Sequence, residues 1–421
     1  MSSWPDPRNF TLPYEEKLQA RIDLSGLQQN FRTLRAYAEA RPRRAGFCLP
    51  PAPGFSRSQH TGHPICVVKA DAYGHGAPAC AQALAEAGAD FFAVSSLREA
   101  LEIRCAVPRA DILVLAPSLP ENAPFFVRFG ITATLTCSAD GLGAAEAVRR
   151  AVEAGHLPPG AALSAHIKLN SGMNRLGFPL TDADAPDTLQ QILALGKLPH
   201  LRLSGVFSHL AAADQPAEPA TTQQCRRFFS AVAFLHGAGL CPVTHLANTA
   251  AMLRFGDMGC SHYRIGIGLY GLPPSRALPF PPSIAPAIRA PMSLTARVTQ
   301  VFSLRAGERV GYGGLFRAPA DMRAATVGIG YADGLLRACS GACLRLHGQD
   351  VPIIGRISMD QCTLDIRDIE AKPGDEVTVL EESGRLLSAL AEKADSIPYE
   401  LLCLSGRRAE RVYTRGAHPL P

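Results

Sequence analysis

Lys69 draws attention because the residues before it place an amine where a buried strand ends. It follows the apolar run Ile65-Cys66-Val67-Val68, which is typical of a buried parallel strand, within the segment VVKADAYGHG. We expect such an amine to have a lowered pKa, because removal from water disfavours its charged form. A neutral amine can form a Schiff base with an aldehyde. The segment is therefore compatible with two roles for Lys69, a covalent anchor for pyridoxal phosphate or a solvated lysine at the rim of the fold.

The elements that must position this amine follow a regular pattern. Eight short apolar runs alternate with helical segments between residues 65 and 271, and they begin near Ile65, Phe91, Ile112, Ile131, Leu163, Leu203, Val243 and Tyr263. Strands alternating with helices predict parallel βαβ units, and eight units favour a closed (β/α)8 barrel over an open sheet. A helix at about Leu24 to Ala40 precedes the first strand.

Beyond Gly271 the pattern changes to the proline-rich stretch LPPSRALPFPPSIAPAIRAP and then to short alternating segments. Such segments, separated by turn residues, predict a mostly β domain. The predicted fold class is thus α/β, with a (β/α)8 barrel over residues 1–284 and a β domain over residues 285–421. A second proline-rich stretch near 41–64 is longer than ordinary connections and is predicted to be an exposed insertion.

Composition excludes several classes of function. The 421 residues are 47% hydrophobic and 19% charged, which is typical of a folded chain with a sizeable core. The net charge of +5 is dispersed, so nucleic-acid binding is not expected. The twelve cysteines contain no CxxC pair, which favours reduced thiols over disulfides or a metal site. Without a signal-peptide pattern or an apolar run of about 18 residues, we expect a soluble cytoplasmic protein with no membrane partner.

Unusual polar residues collect where the predicted barrel strands end, which is where barrel enzymes place their active sites. They are Lys69, Lys168, Asn170, His209, Asn248 and Thr249, together with Arg264, Gly266 and Ile267 on the eighth strand. The segment RIGIGLYG also spells G-x-G-x-x-G, but the prolines that follow block the helix of a dinucleotide site. Its glycines instead favour close approach of the backbone to a phosphate.

The chain resembles alanine racemase, a family of pyridoxal-phosphate enzymes, from about Ala20 to Tyr413. The resemblance rests on motifs that occur in the order of the family: VVKADAYGHG, HIKLNSGMNRLGF, FSHLAAAD, HLANTAA, YRIGIGLYG, GYGG, IGYADG, GRISMDQ and IPYELLC. It implies a barrel with a C-terminal β domain that carries a second catalytic base.

The resemblance also implies a role for each matching position. The catalytic bases would be Lys69 on the D-alanine side and Tyr312 on the L-alanine side, and the substrate would be bound by Arg175 and the backbone of Met359. The cofactor would contact Lys69, Tyr73, Arg175, Asn248, Thr249, Arg264, Gly266, Ile267 and Tyr399. His209 would support Arg264, Lys168 is carbamylated in some family members, and Tyr331 and Asp360 would line the entrance. No metal is expected.

Racemisation explains why two bases are needed, because a proton leaves one face of Cα and another arrives on the opposite face. In the family, the tyrosine and the methionine segment come from the partner subunit, so a homodimer with shared active sites is implied. Arg264 would leave the pyridine nitrogen unprotonated and so limit side reactions. The implied substrate is alanine, and the product D-alanine would serve cell-wall peptidoglycan or alanine catabolism.

Three positions depart from the commonest family pattern. Asn170-Ser171 replaces Asp-Thr, Thr249 replaces serine, and Ser358 replaces a frequent cysteine. The first change lies close to Arg175 and leaves open a broad-specificity amino-acid racemase. A decarboxylase of the same fold would place a carboxylate where Arg264 stands, and a non-enzymatic pyridoxal-phosphate carrier would need no opposite base.

Overall fold

The protein is described here by a computed structural model that covers residues 18–41, 62–215, 219–240, 243–416 and 418–419. The chain forms two compact units, a barrel unit over Leu24–Arg289 and a β unit over Ala290–Pro421 that also includes strand Leu18–Asp23. Most of the predicted insertion near 41–64 lies outside the described residues. None of the described helices is long and apolar enough to cross a membrane.

The barrel unit is built from parallel strands that alternate with helices. In the described ranges, eight strands form one sheet: His63–Val67, Phe91–Val94, Asp111–Val114, Ala133–Leu135, Leu163–Asn170, Leu201–Phe207, Val243–His245 and His262–Ile265. The last strand pairs with the first, and a parallel bridge between Leu113 and Thr132 joins the third strand to the fourth. The sheet therefore closes on itself, which confirms the predicted (β/α)8 barrel.

The helices of this unit follow from apolar spacing and capping residues. Their described bounds are Leu24–Ala40, Ala77–Glu86, Leu97–Ala106, Ala123–Arg128, Ser138–Glu153, Ala185–Leu195, Pro219–Gly237 and Thr249–Phe255. Helix Leu24–Ala40 buries Leu24, Leu27, Phe31 and Leu34, which are three or four residues apart and so lie on one face. This helix begins and ends at the residues that the sequence predicted, Leu24 and Ala40.

The β unit contains a mixed sheet of nine strands among its described residues. In sheet order these are Met322–Val327, Cys362–Asp365, Gln349–Ile354, Cys343–Leu346, Glu376–Leu380, Met292–Leu304, Leu18–Asp23, Glu410–Arg415 and His418–Pro419. The long strand Met292–Leu304 also pairs with Met322–Val327, so six of these strands close into a second, antiparallel barrel. A separate hairpin, Arg309–Val310 with Phe316–Arg317, and helices Arg385–Lys393 and Pro398–Leu404 complete the unit.

Strand Leu18–Asp23 lies within the range that the sequence assigned to the barrel, yet it belongs to the β unit. It pairs antiparallel with Met292–Leu304 and parallel with Glu410–Arg415. Leu18, Ala20 and Ile22 alternate with less buried residues and face the core of that sheet. Its partners follow it by more than 260 residues, so local sequence carried no sign of this pairing.

Asn30 ties helix Leu24–Ala40 to the end of the barrel unit. Its side chain is fully buried, and Nδ2 donates to the carbonyls of Leu269 at 2.9 Å and Arg289 at 2.7 Å. Its Oδ1 accepts from the backbone N–H of Arg289 at 3.1 Å. One amide thus satisfies three backbone groups in two segments that belong to no strand.

We expect Asn30→Ala to lower the free energy of unfolding by about 2–4 kcal/mol, because three buried backbone groups lose their partner. Urea denaturation monitored by circular dichroism measures this. Gln29→Ala is the matched control, since Gln29 is exposed on the same helix and its loss is expected to cost about 0.5 kcal/mol or less. Equal losses in the two variants would contradict the role of Asn30.

Candidate active site

Lys69 begins a turn with unusual backbone geometry at the end of the first barrel strand. The four residues after it, Ala70 to Tyr73, have φ angles of 52°, 54°, 54° and 53° and so form one turn of left-handed helix. For residues other than glycine this conformation costs about 1–2 kcal/mol each. Strain of this kind persists only where surrounding contacts hold it, and it is concentrated at functional sites.

Two carboxylates hold the left-handed turn in place. Glu99 accepts from the backbone N–H of Ala70 at 2.8 Å and from that of Ser95 at 2.7 Å. It therefore joins the turns that follow the first and second strands. Asp71 accepts from the backbone N–H of Ala77 at 2.7 Å and so links the turn to the next helix. These bonds fix the backbone from which Lys69 projects.

Several cations converge at this end of the barrel. Lys168 is buried on the fifth strand, with Nζ 4.3 Å from the centre of the Phe207 ring. Burial lowers its pKa well below the usual value, and the positive charges of Arg264, Arg175 and Lys69 lower it further. Neighbouring positive charges make the protonated form of each group less favourable. An anion bound among them would offset this repulsion, so this end of the barrel favours binding of an anion.

Arg264 is the most deeply buried of these cations, and its Nη atoms are held by neutral acceptors. Nη1 donates to Nδ1 of His245 at 2.7 Å and to the His245 carbonyl at 2.9 Å. Nη2 donates to the carbonyls of Ser208 and Leu246, each at 2.9 Å, and lies 3.3 Å from Nδ1 of His209. Burial lowers the pKa of Arg264 to about 10, so it stays charged at neutral pH.

The bonding pattern leaves one donor of Arg264 available. Arginine has five N–H hydrogens, and the four on Nη1 and Nη2 are directed to the acceptors just described. The Nε–H has no acceptor among the described residues. His209 accepts from this guanidinium through Nδ1, and burial followed by the nearby charge of Arg264 lowers its pKa well below the usual value. His209 is therefore neutral beside the cation.

Tyr73, Thr249 and Gly266 meet next to Arg264. The backbone N–H of Gly266 donates to Oγ1 of Thr249 at 3.0 Å, and a Cβ at residue 266 would lie 3.0 Å from Oη of Tyr73. Glycine thus leaves space between two hydroxyls and a backbone N–H, groups that suit a phosphate. Asn248 serves a structural role as well, because its Oδ1 caps the following helix at the N–H of Ala251, 2.9 Å away. Ile267 is buried directly after Gly266.

The loop that carries Arg175 is folded around Asn170. Oδ1 of Asn170 accepts from the backbone N–H groups of Asn174 at 2.8 Å and Gly172 at 3.3 Å. A Cβ at Gly177 would lie 2.6 Å from the carbonyl of Lys168, so the loop returns tightly against its own strand. Arg175 is exposed at the surface of this loop, close enough for its charge to lower the pKa of Lys168.

The other predicted site residues lie in the β unit. Gly330 permits close packing of two loops there, because a Cβ would overlap the carbonyl of Met359. The backbone N–H of Tyr331 donates to the Ser358 carbonyl at 3.0 Å, and Asp360 accepts from Arg408 at 2.8 Å. Tyr331, Met359 and Asp360 therefore share one region of this unit.

Tyr312 and Tyr399 belong to the β unit as well. Tyr312 begins a short 3-10 turn between Gly311 and Gly314 and is 70% exposed. Tyr399 lies in helix Pro398–Leu404. The Tyr312 side chain is thus mostly open to solvent in the single chain.

Comparison with known proteins agrees with this geometry. A model of the alanine racemase N-terminal domain matches residues 56–274, and one of the C-terminal domain matches residues 291–413. This chain belongs to the alanine racemase family.

Relatives extend the match over nearly the whole chain. An alanine racemase from Nostoc sp. is 33% identical over 406 residues, which cover 95% of this chain and 96% of the relative. A solved alanine racemase from Clostridium difficile 630 is 28% identical with a TM-score of 0.82, covering 97% of this chain and 98% of the other. The structure of the Bacillus anthracis alanine racemase with bound L-Ala-P is 28% identical with a TM-score of 0.81, and the same shares are covered.

Three residues that hold the candidate site together were missed from the sequence. They are Glu99, which holds the turn after Lys69, and His245 and Ser208, which hold Arg264. His245 ends the seventh strand and could have been found by the strand-end rule that identified His209. Glu99 lies inside a helix and gave no such signal, and Ser208 acts only through its carbonyl.

The strained turn generates a stability prediction. We expect Ala70→Gly to raise the free energy of unfolding by up to about 1 kcal/mol, because glycine adopts the left-handed conformation without the penalty of a Cβ. Ala70 is exposed, so little packing is lost. Ala85→Gly, in a right-handed helix, is the control and should destabilise by about 0.5–1 kcal/mol. Destabilisation of similar size by both substitutions, measured by urea unfolding, would show that the turn is not strained.

Proposed function

We propose that this protein interconverts L-alanine and D-alanine with pyridoxal 5'-phosphate as its cofactor. The observation that carries the proposal is the set of cations at the end of the barrel: the positive charges of Arg264, Arg175 and Lys69 all act on the buried amine of Lys168. A ligand with several negative groups and an aldehyde suits such a site. Pyridoxal phosphate joined to an amino acid has a phosphate, a phenolic oxygen and a carboxylate.

The residues of the barrel unit fit this cofactor. Lys69 would bind it covalently through Nζ. Tyr73, Thr249 and the backbone of Gly266 and Ile267 would hold the phosphate, together with Tyr399 and with Asn248 as the cap of the adjoining helix. The Nε–H of Arg264 is a donor without an acceptor among the described residues, and it would meet the pyridine nitrogen. When bound, the cofactor withdraws electrons from Cα and so makes the Cα proton acidic.

The chain supplies the proton transfers. The amine of Lys69 would remove or return the Cα proton on the D-alanine side, and the hydroxyl of Tyr312 would do so on the opposite face. Arg175 and the backbone N–H of Met359 would hold the substrate carboxylate, and Tyr331 and Asp360 would line the entrance. Arginine keeps its proton, so Arg264 would leave the pyridine nitrogen unprotonated and limit electron withdrawal. His209 supports Arg264 as a neutral acceptor.

Lys168 fits a further role that the resemblance implies. Its low pKa favours the neutral amine, which is the form that carbon dioxide carbamylates. A carbamate on Lys168 would place a negative charge among the surrounding cations and so orient Arg175.

We propose a homodimer in which each site takes Tyr312 and Met359 from the partner. The support is their exposure: Tyr312 and Met359 are 70% and 53% exposed, and Leu315 beside them is 67% exposed. A general base must lie within hydrogen-bond reach of the proton that it moves. Side chains as exposed as these reach an enclosed substrate only if a second surface covers them.

We also propose a cytoplasmic location and a role in supplying D-alanine for cell-wall peptidoglycan or in alanine catabolism. These rest on the family and on the pattern of the sequence.

The direct test is a chiral assay of the purified protein with L-alanine, with and without added pyridoxal phosphate. We expect D-alanine to accumulate until the two enantiomers are equal, and a faster approach when the cofactor is added. Initial rates with serine and lysine test the broad-specificity alternative, which the contacts of Asn170 with the Arg175 loop keep open. Carbon dioxide release without D-alanine would favour a decarboxylase, and cofactor binding without any turnover would favour a carrier.

The anchor residue can be mapped chemically. After borohydride reduction of the protein with pyridoxal phosphate, we expect peptide mapping to find the cofactor on Lys69. Lys168 is the natural competitor, because it is buried nearby and its pKa is also lowered. A modified Lys168 with unmodified Lys69 would overturn the assignment.

Tyr312→Phe should slow racemisation by roughly 10²–10⁴-fold, the contribution of a positioned base, while cofactor binding is retained. Mixing Lys69→Ala with Tyr312→Phe protein should then restore about a quarter of wild-type activity, since half of the randomly mixed dimers have one intact site of two. Tyr331→Phe mixed with Tyr312→Phe is the control, because both changes lie in one unit. No recovery after verified subunit exchange would place both bases in the same chain.

A further inference from the structure

Two buried histidines lie in the barrel interior behind Arg264, and the proposed proton transfers do not use them. His245 is fully buried at the end of the seventh strand, and His166 is almost fully buried in the fifth. Nδ1 of His166 lies 3.0 Å from Nε2 of His245. With the 2.7 Å bond between His245 and Arg264, three side chains from three strands form a continuous chain.

The direction of each bond in this chain is fixed by chemistry. Arg264 can only donate, so Nδ1 of His245 must accept. A neutral imidazole has one N–H, so the hydrogen of His245 is on Nε2, and it is donated to Nδ1 of His166. The hydrogen of His166 is then on its own Nε2. In each of the two bonds, the donor is therefore the residue nearer the guanidinium and the acceptor is the residue deeper in the barrel.

Burial keeps both rings neutral. It lowers the pKa of His166 to about 3, with a smaller contribution from His262. It also lowers the pKa of His245 well below the usual value, and the positive charge of Arg264 lowers it further. Protonation of either ring would turn an acceptor nitrogen into a donor and so break a bond of the chain. We expect neither ring to take up a proton near neutral pH.

The sheet is locally altered where the His166 ring lies. Strand Leu201–Phe207 has an extra residue, Ser204, because Ala165 pairs with Leu203 and the next residue, His166, pairs with Gly205. A Cβ at Gly205 would lie 2.6 Å from Cδ2 of His166, so only glycine leaves space for the ring. A bulge and a glycine inside a strand both weaken a sheet, and such features recur next to active sites.

We propose that His245 and His166 are positioning residues for Arg264: they form a one-way chain of hydrogen bonds that holds the guanidinium so that its Nε–H is left for the cofactor. His245 supplies both acceptors of Nη1, one from its ring and one from its carbonyl. His166 accepts the remaining hydrogen of His245, which makes Nδ1 of His245 a stronger acceptor. The proposal rests on the proposed function only for the identity of the cofactor.

The first test needs no enzymatic activity, and its result is read from the wild-type protein. Nitrogen-15 NMR of protein labelled at histidine, recorded with and without pyridoxal phosphate, reports the tautomer and the charge of each ring. We expect two neutral rings with hydrogen on Nε2 that do not titrate between about pH 6 and 8.5. Comparison with His166→Phe and His245→Asn assigns them. Hydrogen on Nδ1 of His245, or protonation of either ring in this range, would overturn the proposal.

The second test separates positioning from packing. His245→Asn keeps a side-chain oxygen as an acceptor for Arg264, whereas His245→Leu fills a similar volume without one. A packing role predicts that leucine is tolerated better. A positioning role predicts that His245→Leu binds pyridoxal phosphate about tenfold more weakly than His245→Asn, because a buried donor loses its partner. Equal binding by the two variants, measured from cofactor absorption, would contradict the role of His245.

The third test moves the His166 ring while keeping both histidines. Gly205→Ala should displace the ring, change the nitrogen-15 signals of His245, and weaken pyridoxal phosphate binding severalfold. Gly237→Ala is the control, because a Cβ there meets no atom within 4 Å. Unchanged His245 signals in Gly205→Ala would overturn the chain. Failure of the wild-type protein to bind the cofactor would reject the proposed function, while the tautomers would still report on the chain.

Discussion

The buried charge of Arg264 is the constraint on which the barrel site depends. The barrel removes the guanidinium from water and surrounds its Nη atoms with the carbonyls of Ser208, His245 and Leu246 and with imidazole rings. A buried cation that lacked these bonds would cost several kcal/mol. The acceptors lie at the ends of the sixth and seventh strands and the guanidinium is carried by the eighth, so the charge can be held only after these three strands have paired. The charge of this site therefore depends on the folded arrangement of these strands.

Neutral acceptors and a paired carboxylate have different chemical consequences. A carboxylate would cancel the charge of Arg264, whereas carbonyls and imidazoles stabilise it and leave its field in the site. Burial lowers the pKa values of Lys168 and His209, and that field lowers them further. The residues around Arg264 are therefore neutral bases and acceptors beside a fixed cation, an environment suited to an anionic ligand and unsuited to protonating a ring nitrogen.

The two proposed bases lie in opposite physical environments. Lys69 projects from a strained turn that Glu99 and Asp71 hold by accepting from three backbone N–H groups, those of Ala70, Ser95 and Ala77. Its position is fixed by contacts within the barrel unit. Tyr312 projects from a glycine-rich turn into solvent, with little of its side chain covered. One proposed base is held by contacts within its own unit, and the other is largely exposed in the single chain.

The sequence by itself determined the alternation of strands and helices, the bounds of helix Leu24–Ala40, the closed barrel, and the chemical types that collect at the strand ends. Hydrophobic periodicity and residue type are local properties, so they can be read from neighbouring residues. Tertiary structure decided the rest. The left-handed turn after Lys69 arises from bonds to Glu99, and the pairing of strand Leu18–Asp23 joins segments more than 260 residues apart. The chain from Arg264 through His245 to His166 likewise exists only because a bulge and Gly205 leave space for a ring. Such features depend on contacts between distant segments, which no local pattern encodes.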